Sequence, residues 1–482
     1  MSCKITRRNA LKTTALTGAA AGLSSCTAPS RQPNILFVFA DQHREAALGC
    51  SGDPNVRTPV FDAFAAEGIR LTAAQSSTPV CCPFRAGLMT GQYAHSHGML
   101  SNQMPFYPQV PCLAETFRNA GYRTGYIGKW HLNYPGPVDV KNGWVPNDSR
   151  FGFDWWRMTP NGHSYYDTSY FVGDDRELTR VDAYQPTVQT DQAVEFIEAA
   201  QDETPWLLCM SWGPPHSPYK APEEFHRHYD NITLPPNVPE GKARVLAKKA
   251  TPHYYGLVES LDTEFGRLLH ALDSRGMADN TIVVYTSDHG DMLGSHGYGF
   301  KRWPHAYSAQ VPFLVRYPDA ISGGRVIDAP MGTPDIYPTL AGLAGVTPPG
   351  GLDGMDYAPY FRSDVTTAPR EEVYMEMHYA YVPWPGWRAV RTREHLYART
   401  ADAPWLLFDA LNDPYQLRNL VDDPTARTGQ RDLDARLTEL MRQTGDSWDI
   451  ALNEGDADNW RPGGPKQTRN DLGVDYPGRQ VK

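Results

Sequence analysis

The chain reads as an α/β protein built on a mostly parallel central sheet flanked by helices. Two observations carry that reading. First, three apolar runs lack alternation: Asn34-Ile35-Leu36-Phe37-Val38-Phe39-Ala40, Trp206-Leu207-Leu208-Cys209-Met210-Ser211 and Thr281-Ile282-Val283-Val284-Tyr285-Thr286-Ser287. Runs of this length with no polar face are strands buried on both sides, the environment of a parallel sheet between helical layers. Second, the first and third runs each end in an acid followed by a neutral ligand-type side chain, Asp41-Gln42 and Asp288-His289. Open α/β sheets carry their sites just past the carboxyl ends of their strands.

Along the chain, the first segment reads as an address. Thr6-Arg7-Arg8-Asn9-Ala10-Leu11-Lys12 resembles a twin-arginine export signal. The weakly apolar residues 15–23 that follow are too short and too rich in Gly and Ala to span a bilayer. Leu23-Ser24-Ser25-Cys26 resembles a bacterial lipobox, with Cys26 as the lipidated first residue of the mature protein. Residues 1–26 are therefore expected to direct export to the periplasm or cell envelope. The only membrane association expected is a lipid anchor on Cys26.

After the first strand comes Cys81-Cys82-Pro83-Phe84-Arg85, then Ala86-Gly87-Leu88-Met89-Thr90-Gly91. Residues 86–90 read as the first turns of a helix, whose amino end presents N–H groups and a positive dipole end to an anion. Gly121-Tyr122-Arg123-Thr124-Gly125-Tyr126-Ile127-Gly128-Lys129-Trp130-His131 follows. The Trp206 run ends in Gly213-Pro214-Pro215-His216-Ser217-Pro218-Tyr219. The Thr281 run ends in Ser287-Asp288-His289-Gly290-Asp291-Met292-Leu293-Gly294-Ser295-His296-Gly297 and reaches Lys301. Two carboxylates at neighbouring strand ends repel unless a cation lies between them, which points to a divalent metal at Asp41 and Asp288.

These blocks, in this order, resemble the type I, formylglycine-dependent sulfatases of the alkaline phosphatase-like superfamily, from about Pro33 to about Leu420. The resemblance implies that Cys81 is converted to formylglycine (3-oxoalanine) by a maturation enzyme. Its hydrate attacks the sulfur of a sulfate ester and then collapses to release inorganic sulfate, a covalent route with a built-in release step. It gives Arg85 the task of holding residue 81, and Lys129 and Lys301 that of neutralising sulfate oxygens. His131 becomes the base beside the nucleophile. His216 becomes a sulfate contact and the acid for the leaving group. The metal set is Asp41, Gln42, Cys81, Asp288 and His289. Calcium is the expected ion, since it takes roughly six to eight oxygen ligands. Gln42 and His289 lower the negative charge of the set and add a nitrogen, which keeps magnesium or manganese in view. Beyond Lys301 the match weakens: His305-Ala306-Tyr307 and Gln310 occupy a segment expected to border the site, which bears on substrate more than on reaction.

The same resemblance divides the chain into a catalytic domain over residues 31–370 and a smaller carboxyl-terminal α+β subdomain over 371–482. Trp387-Arg388-Ala389-Val390-Arg391-Thr392 begins a hairpin strand of an antiparallel sheet there. From about Asp456 the chain is polar and rich in Gly, Pro and Asp. Of seven cysteines, Cys50, Cys82, Cys112 and Cys209 have no assigned role, fit no zinc spacing and make no disulfide scaffold. A net charge of −10 argues against nucleic acid as a partner.

Two aromatic groups are candidates for stacking on sugar rings: Trp155-Trp156 with His163, Tyr165 and Tyr166, and His378, Tyr379, Tyr381, Trp384, Trp387 with Arg388. Core packing explains any one of them equally well. The expected substrate is a sulfated saccharide. The rival readings are a phosphonate monoester or phosphodiester hydrolase of the same superfamily, and a catalytically silent glycan-binding lipoprotein.

Overall fold

A computed structural model describes residues 31–102, 104–132, 143–160, 163–378 and 386–448. The expected export signal, the lipobox with Cys26, the segment from Asp456, and Tyr379, Tyr381 and Trp384 lie outside the described residues. The described residues from Gln32 to Trp448 form one compact unit.

Five strands make the heart of the sheet: β1 (Asn34–Asp41), β2 (Arg123–Lys129), β3 (Trp206–Pro215), β4 (Thr281–Ser287) and β5 (Phe313–Arg316). β1 lies between β3 and β4, parallel to both, and β2 extends the parallel set beyond β3. The full order is Arg325–Ile327, Ile69–Leu71, β5, β4, β1, β3, β2, Trp155–Thr159, Thr168–Val172, Thr179–Val181. Antiparallel pairing enters toward the edges, where β5 runs against β4 and Thr168–Val172 against Trp155–Thr159.

Every residue of β1, β3 and β4 is buried. Because side chains alternate across a sheet, β1 feeds two separate cores. Ile35, Phe37 and Phe39 pack with helices α2 (Cys81–Thr90), α3 (Leu113–Asn119) and α6 (Ile336–Ala344) on one face. Leu36, Val38 and Ala40 pack with α1 (Pro59–Glu67), α4 (Gln185–Glu198) and α5 (Lys242–Ser274) on the other. Unbroken apolar runs are thus the signature of a sheet covered twice, as the sequence predicts.

The chain ends in a four-stranded antiparallel sheet: β6 (Glu372–Met377), β7 (Trp387–Thr392), β8 (His395–Arg399) and β9 (Pro404–Asp409). Helix α7 (Arg427–Thr444) covers it with Leu433 and Leu437 against Tyr374, Val390, Tyr397 and Leu407. Cys50, Cys82, Cys112 and Cys209 form no disulfide among the described residues. No helix among the described residues is long and apolar enough to cross a membrane.

One boundary differs from expectation. Helix α2 starts at Cys81, five residues before Ala86. Pro83 sits in the first turn, where its missing N–H costs no helical bond. The Phe84 N–H closes that turn on the Val80 carbonyl at 3.1 Å.

Candidate functional site

The polar end of the sheet is assembled from strand termini. Asp41 closes β1, and Gln42 turns the chain with φ 76°, a conformation uncommon outside glycine. That turn aims the Gln42 N–H at Asp288 Oδ1, 3.0 Å away beyond the end of β4. Lys129 ends β2, and His131 follows it with φ 57°. β3 delivers Ser211 and, beyond Pro215, His216. Cys81 enters from above as the first residue of α2. All the site residues expected from the sequence converge here.

Arg85 is the keystone. It is 1 % exposed, and its Nη1 donates to the Lys129 carbonyl at 2.6 Å and to Ser211 Oγ at 2.8 Å. Its Nη2 donates to Asp288 Oδ2 at 3.2 Å and lies 3.6 Å from Asp41 Oδ2, while its guanidinium stacks over Phe39. One side chain therefore ties α2 to the ends of β1, β2, β3 and β4. Asp41 Oδ2 also takes Lys129 Nζ at 2.5 Å.

The other carboxylate oxygens face inward. His289 Nε2 is 3.6 Å from Asp41 Oδ1, 3.4 Å from Asp288 Oδ1 and 3.3 Å from Cys81 Sγ. Cys81 Sγ is 3.9 Å from Asp41 Oδ1. His289 Nδ1 donates to the Gly290 carbonyl at 2.9 Å, which leaves Nε2 as the ring atom that faces the carboxylates. Burial opposes a charge on this ring, but Asp288 outweighs it and raises the His289 pKa, so a cation would bind there by displacing the Nε2 proton. Ligands at right angles around a cation at about 2.4 Å lie about 3.4 Å apart. Two carboxylates, an imidazole nitrogen and residue 81 have that spacing, so the donor set fits a divalent metal. Gln42 adds an amide oxygen at the rim, where Lys301 Nζ donates to Oε1 at 3.0 Å.

Both lysines point at the nucleophile position. Lys129 Nζ is 3.9 Å and Lys301 Nζ 3.4 Å from Cys81 Sγ. Burial and the Asp41 carboxylate oppose ionisation of the thiol. Lys129, Lys301 and His289 outweigh them and hold its pKa well below the usual value. Asp41 likewise stays well below the carboxylate range: burial raises it, but the Lys129 and Lys301 charges prevail. Burial and the charge of Asp41 push Asp288 up. The partly exposed His131 hydrogen-bonds Cys81; burial, then Lys129, lower its pKa, so it is a neutral base.

His216 Nδ1 meets the Ser217 carbonyl at 2.7 Å and Nε2 meets Lys301 Nζ at 2.8 Å. A carbonyl can only accept and an ammonium can only donate. The proton at the Lys301–His216 junction is therefore on lysine, and His216 carries its own on Nδ1. Burial and the Lys301 charge keep the His216 pKa well below normal, in agreement.

Sequence reasoning missed several supports. Asp291, inside the quoted loop after β4, takes Gln42 Nε2 at 2.6 Å and the Tyr219 hydroxyl at 2.5 Å. Asn102 takes the Cys82 N–H at 3.0 Å, and Pro83 has none, so the helix start offers an anion fewer donors than expected. Of the first aromatic group, His163 stacks on His216 at 3.8 Å and 6°, and Tyr165 donates to the His216 carbonyl at 2.7 Å. Trp156 instead packs in the core on Tyr126 and Trp130, and Trp155 packs on Phe196. In the second group Trp387 and Arg388 are buried in the carboxyl-terminal sheet. His305 packs on His296 and Phe408, Tyr307 on Arg44, and Gln310 donates to the Thr72 carbonyl.

Comparison with known proteins agrees with this geometry. The family model described as Sulfatase matches residues 33–346, and that described as N-sulphoglucosamine sulphohydrolase, C-terminal, matches residues 294–443. The ulvan-active sulfatase of Formosa agariphila is 37 % identical over 429 residues, covering 86 % of this chain and 82 % of that one. The endo-4-O-sulfatase of Bacteroides thetaiotaomicron is 29 % identical over 499 residues, covering 88 % and 96 %. A structure solved in work on glycosaminoglycan metabolism by Bacteroides thetaiotaomicron superposes with a TM-score of 0.79 at 28 % identity, over 86 % of this chain and 97 % of that one.

Proposed function

The chain belongs to the sulfatase family and is a sulfuric ester hydrolase, and from that premise we propose that it removes sulfate from a sulfated carbohydrate through a formylglycine made from Cys81. The observation that carries the mechanism is the convergence of Lys129 and Lys301 on Cys81 Sγ in a pocket that also holds two inward carboxylates. The carbohydrate reading rests on the relatives: one acts on ulvan and another is an endo-4-O-sulfatase.

Formylglycine at position 81 supplies a hydrated aldehyde as nucleophile, and a bound divalent cation supplies positive charge beside it. The chain's own residues do the rest. Asp41, Gln42, Asp288 and His289, with residue 81, hold the cation; calcium suits the oxygen donors best, magnesium or manganese less well. Arg85 fixes residue 81 relative to the strand ends. Lys129 and Lys301 take the negative charge that grows on the sulfuryl oxygens. His131, neutral and bonded to residue 81, accepts a proton there. The Lys301–His216 pair delivers a proton to the leaving oxygen, from the ammonium side of the junction.

We further propose export by the twin-arginine signal and anchoring through Cys26, which fits a surface enzyme acting on polymer too large to import. The first test is the mass of the tryptic peptide containing Cys81, from protein matured in a competent host. Loss of H2S and gain of O are expected there; an intact thiol sinks the mechanism and raises the silent-binder reading. Turnover of an aryl sulfate well above that of the matching aryl phosphonate is the expected second result. The reverse preference assigns the phosphonate hydrolase reading instead.

A further inference from the structure

Gln42 is an ambiguous ligand, because an amide presents either an oxygen or a hydrogen-bond donor to the same space. Its surroundings remove the ambiguity. Asp291 is 0 % exposed, and its Oδ2 accepts Gln42 Nε2 at 2.6 Å. The Tyr219 hydroxyl donates to the same Oδ2 at 2.5 Å and lies 3.3 Å from Gln42 Nε2. On the other side Lys301 Nζ donates to Gln42 Oε1 at 3.0 Å, and that ammonium is 3.4 Å from Cys81 Sγ. A flipped amide would set oxygen against the Asp291 carboxylate and NH2 against the ammonium, so the two contacts exclude it together. The carboxylate also polarises the amide, placing more negative charge on Oε1.

We propose that Asp291 is a positioning residue that locks the Gln42 amide with its oxygen toward the metal pocket and so sets the affinity of this site for its divalent cation. The negative charge missing from an amide ligand is supplied one residue further out. Partners behind a ligand commonly change metal affinity by about 10- to 100-fold when removed. This inference rests on the metal reading given above. Asp291 has a competing structural task, since its Oδ1 takes the Leu293 N–H at 3.0 Å and shapes the loop after β4.

The test measures calcium and manganese binding by calorimetry on chelator-stripped full-length protein carrying an unmodified Cys81, with the unfolding temperature of each metal-free protein alongside. Asp291→Asn is expected to weaken binding about 10- to 100-fold while the metal-free unfolding temperature stays near that of the parent. The exchange variant Gln42→Glu with Asp291→Asn rebuilds the pair in reverse, amide outside and carboxylate inside, and is expected to recover affinity to within a few-fold. Tyr219→Phe removes one donor to Asp291 and is expected to weaken binding less, which keeps the idea testable if Asp291→Asn unfolds. Parent-like binding by Asp291→Asn overturns the proposal and leaves the metal reading standing. Weak binding that the exchange fails to recover also overturns it, in favour of the loop-shaping role. A parent protein that binds neither cation overturns the metal reading, and the role of Asp291 with it.

Discussion

Around Cys81, the side chains of Asp41, Cys81, Asp288 and His289 bring one ligand atom each to within 4.8 Å of one another; on the carboxyl-terminal sheet, His95, Glu376, His378 and Asp446 do the same. By composition the second group is as good a metal site as the first. Its geometry says otherwise. His95 Nδ1 meets Glu376 Oε2 at 2.9 Å and its Nε2 donates to the Thr444 carbonyl at 3.0 Å. His378 Nε2 meets the same Glu376 oxygen at 2.6 Å, and its Nδ1 accepts from Arg388 Nη2 at 3.1 Å. Arg388 and Tyr374 both pair with Asp446. In that group donors meet acceptors at hydrogen-bond distance, and the Arg388 guanidinium already supplies a cation. Around Cys81 the ligand atoms converge but stand 3.3 to 3.9 Å apart. The closed network is built for stability and the open one for a ligand, and that difference can be broken experimentally.

The largest expected effect is on the open pocket. Cys81→Ala should lower kcat/KM by about 10^4-fold or more, the scale of removing a nucleophile, with the unfolding temperature nearly unchanged. Chelation separates the two clusters directly. A bound cation at a hundredfold excess over its Kd adds about 2.7 kcal/mol of stability. The parent and Glu376→Gln should both lose that increment to a chelator, whereas Asp288→Asn should show none. A chelator response that vanishes in Glu376→Gln would reverse the assignment of the two clusters.

Next comes the closed network. Arg388→Ala strands Asp446, a buried carboxylate, and such losses cost about 3–5 kcal/mol. Urea unfolding should show that loss while the folded fraction keeps its turnover. Proportional loss of turnover at full folding would place Arg388 in the substrate cleft, as the sequence allowed.

The pH dependence of stability sharpens the contrast further. Burial opposes the charge on His95, but Glu376 outweighs it and raises the pKa from 6.5 to about 9. A raised histidine contributes its stability in full below pH 6.5 and loses it as pH climbs through 9. The difference corresponds to about 3 kcal/mol. Unfolding free energy measured from pH 6 to pH 9.5 should fall on this account, and His95→Gln should flatten the profile. An unchanged slope in that variant would remove His95 as its source.

What the sequence made legible follows the range of each signal. The unbroken apolar runs located β1, β3 and β4, because burial on both faces is written in consecutive residues. Asp41 and Asp288 were legible because they sit one step past those runs. The helix was expected over residues 86–90 but starts at Cys81, because a proline in the first turn, here Pro83, gives up no helical bond. Asp291 lay in view inside the loop after β4, yet its value depends on Gln42, 249 positions away. The pairing of His95 with Glu376 spans 281 positions, and local periodicity carries no information about it. His163 was legible only as one aromatic among several; the stack that singles it out exists only in the fold.

The smallest effect expected comes from that stack. His163 lies flat on His216, with ring centroids 3.8 Å apart, and burial with the nearby Lys129 charge lowers its pKa to about 3. It is therefore a neutral plate that limits how the His216 ring can turn. Aromatic pairs of this kind are worth about 1 kcal/mol, which converts to about fivefold in kcat/KM for His163→Ala. Because His216 and Lys301 act at the leaving oxygen, the loss should grow as the leaving group becomes more basic. A sulfated sugar should lose the full factor, and 4-nitrophenyl sulfate, whose phenolate departs without a proton, much less. His163→Phe keeps a flat partner and should recover most of the sugar-sulfate activity. Equal losses on both substrates, or no recovery by phenylalanine, would show that His163 packs beside the pocket without steering the Lys301–His216 pair. The outcome would then place it with the closed network, where a contact is felt in stability and not in chemistry.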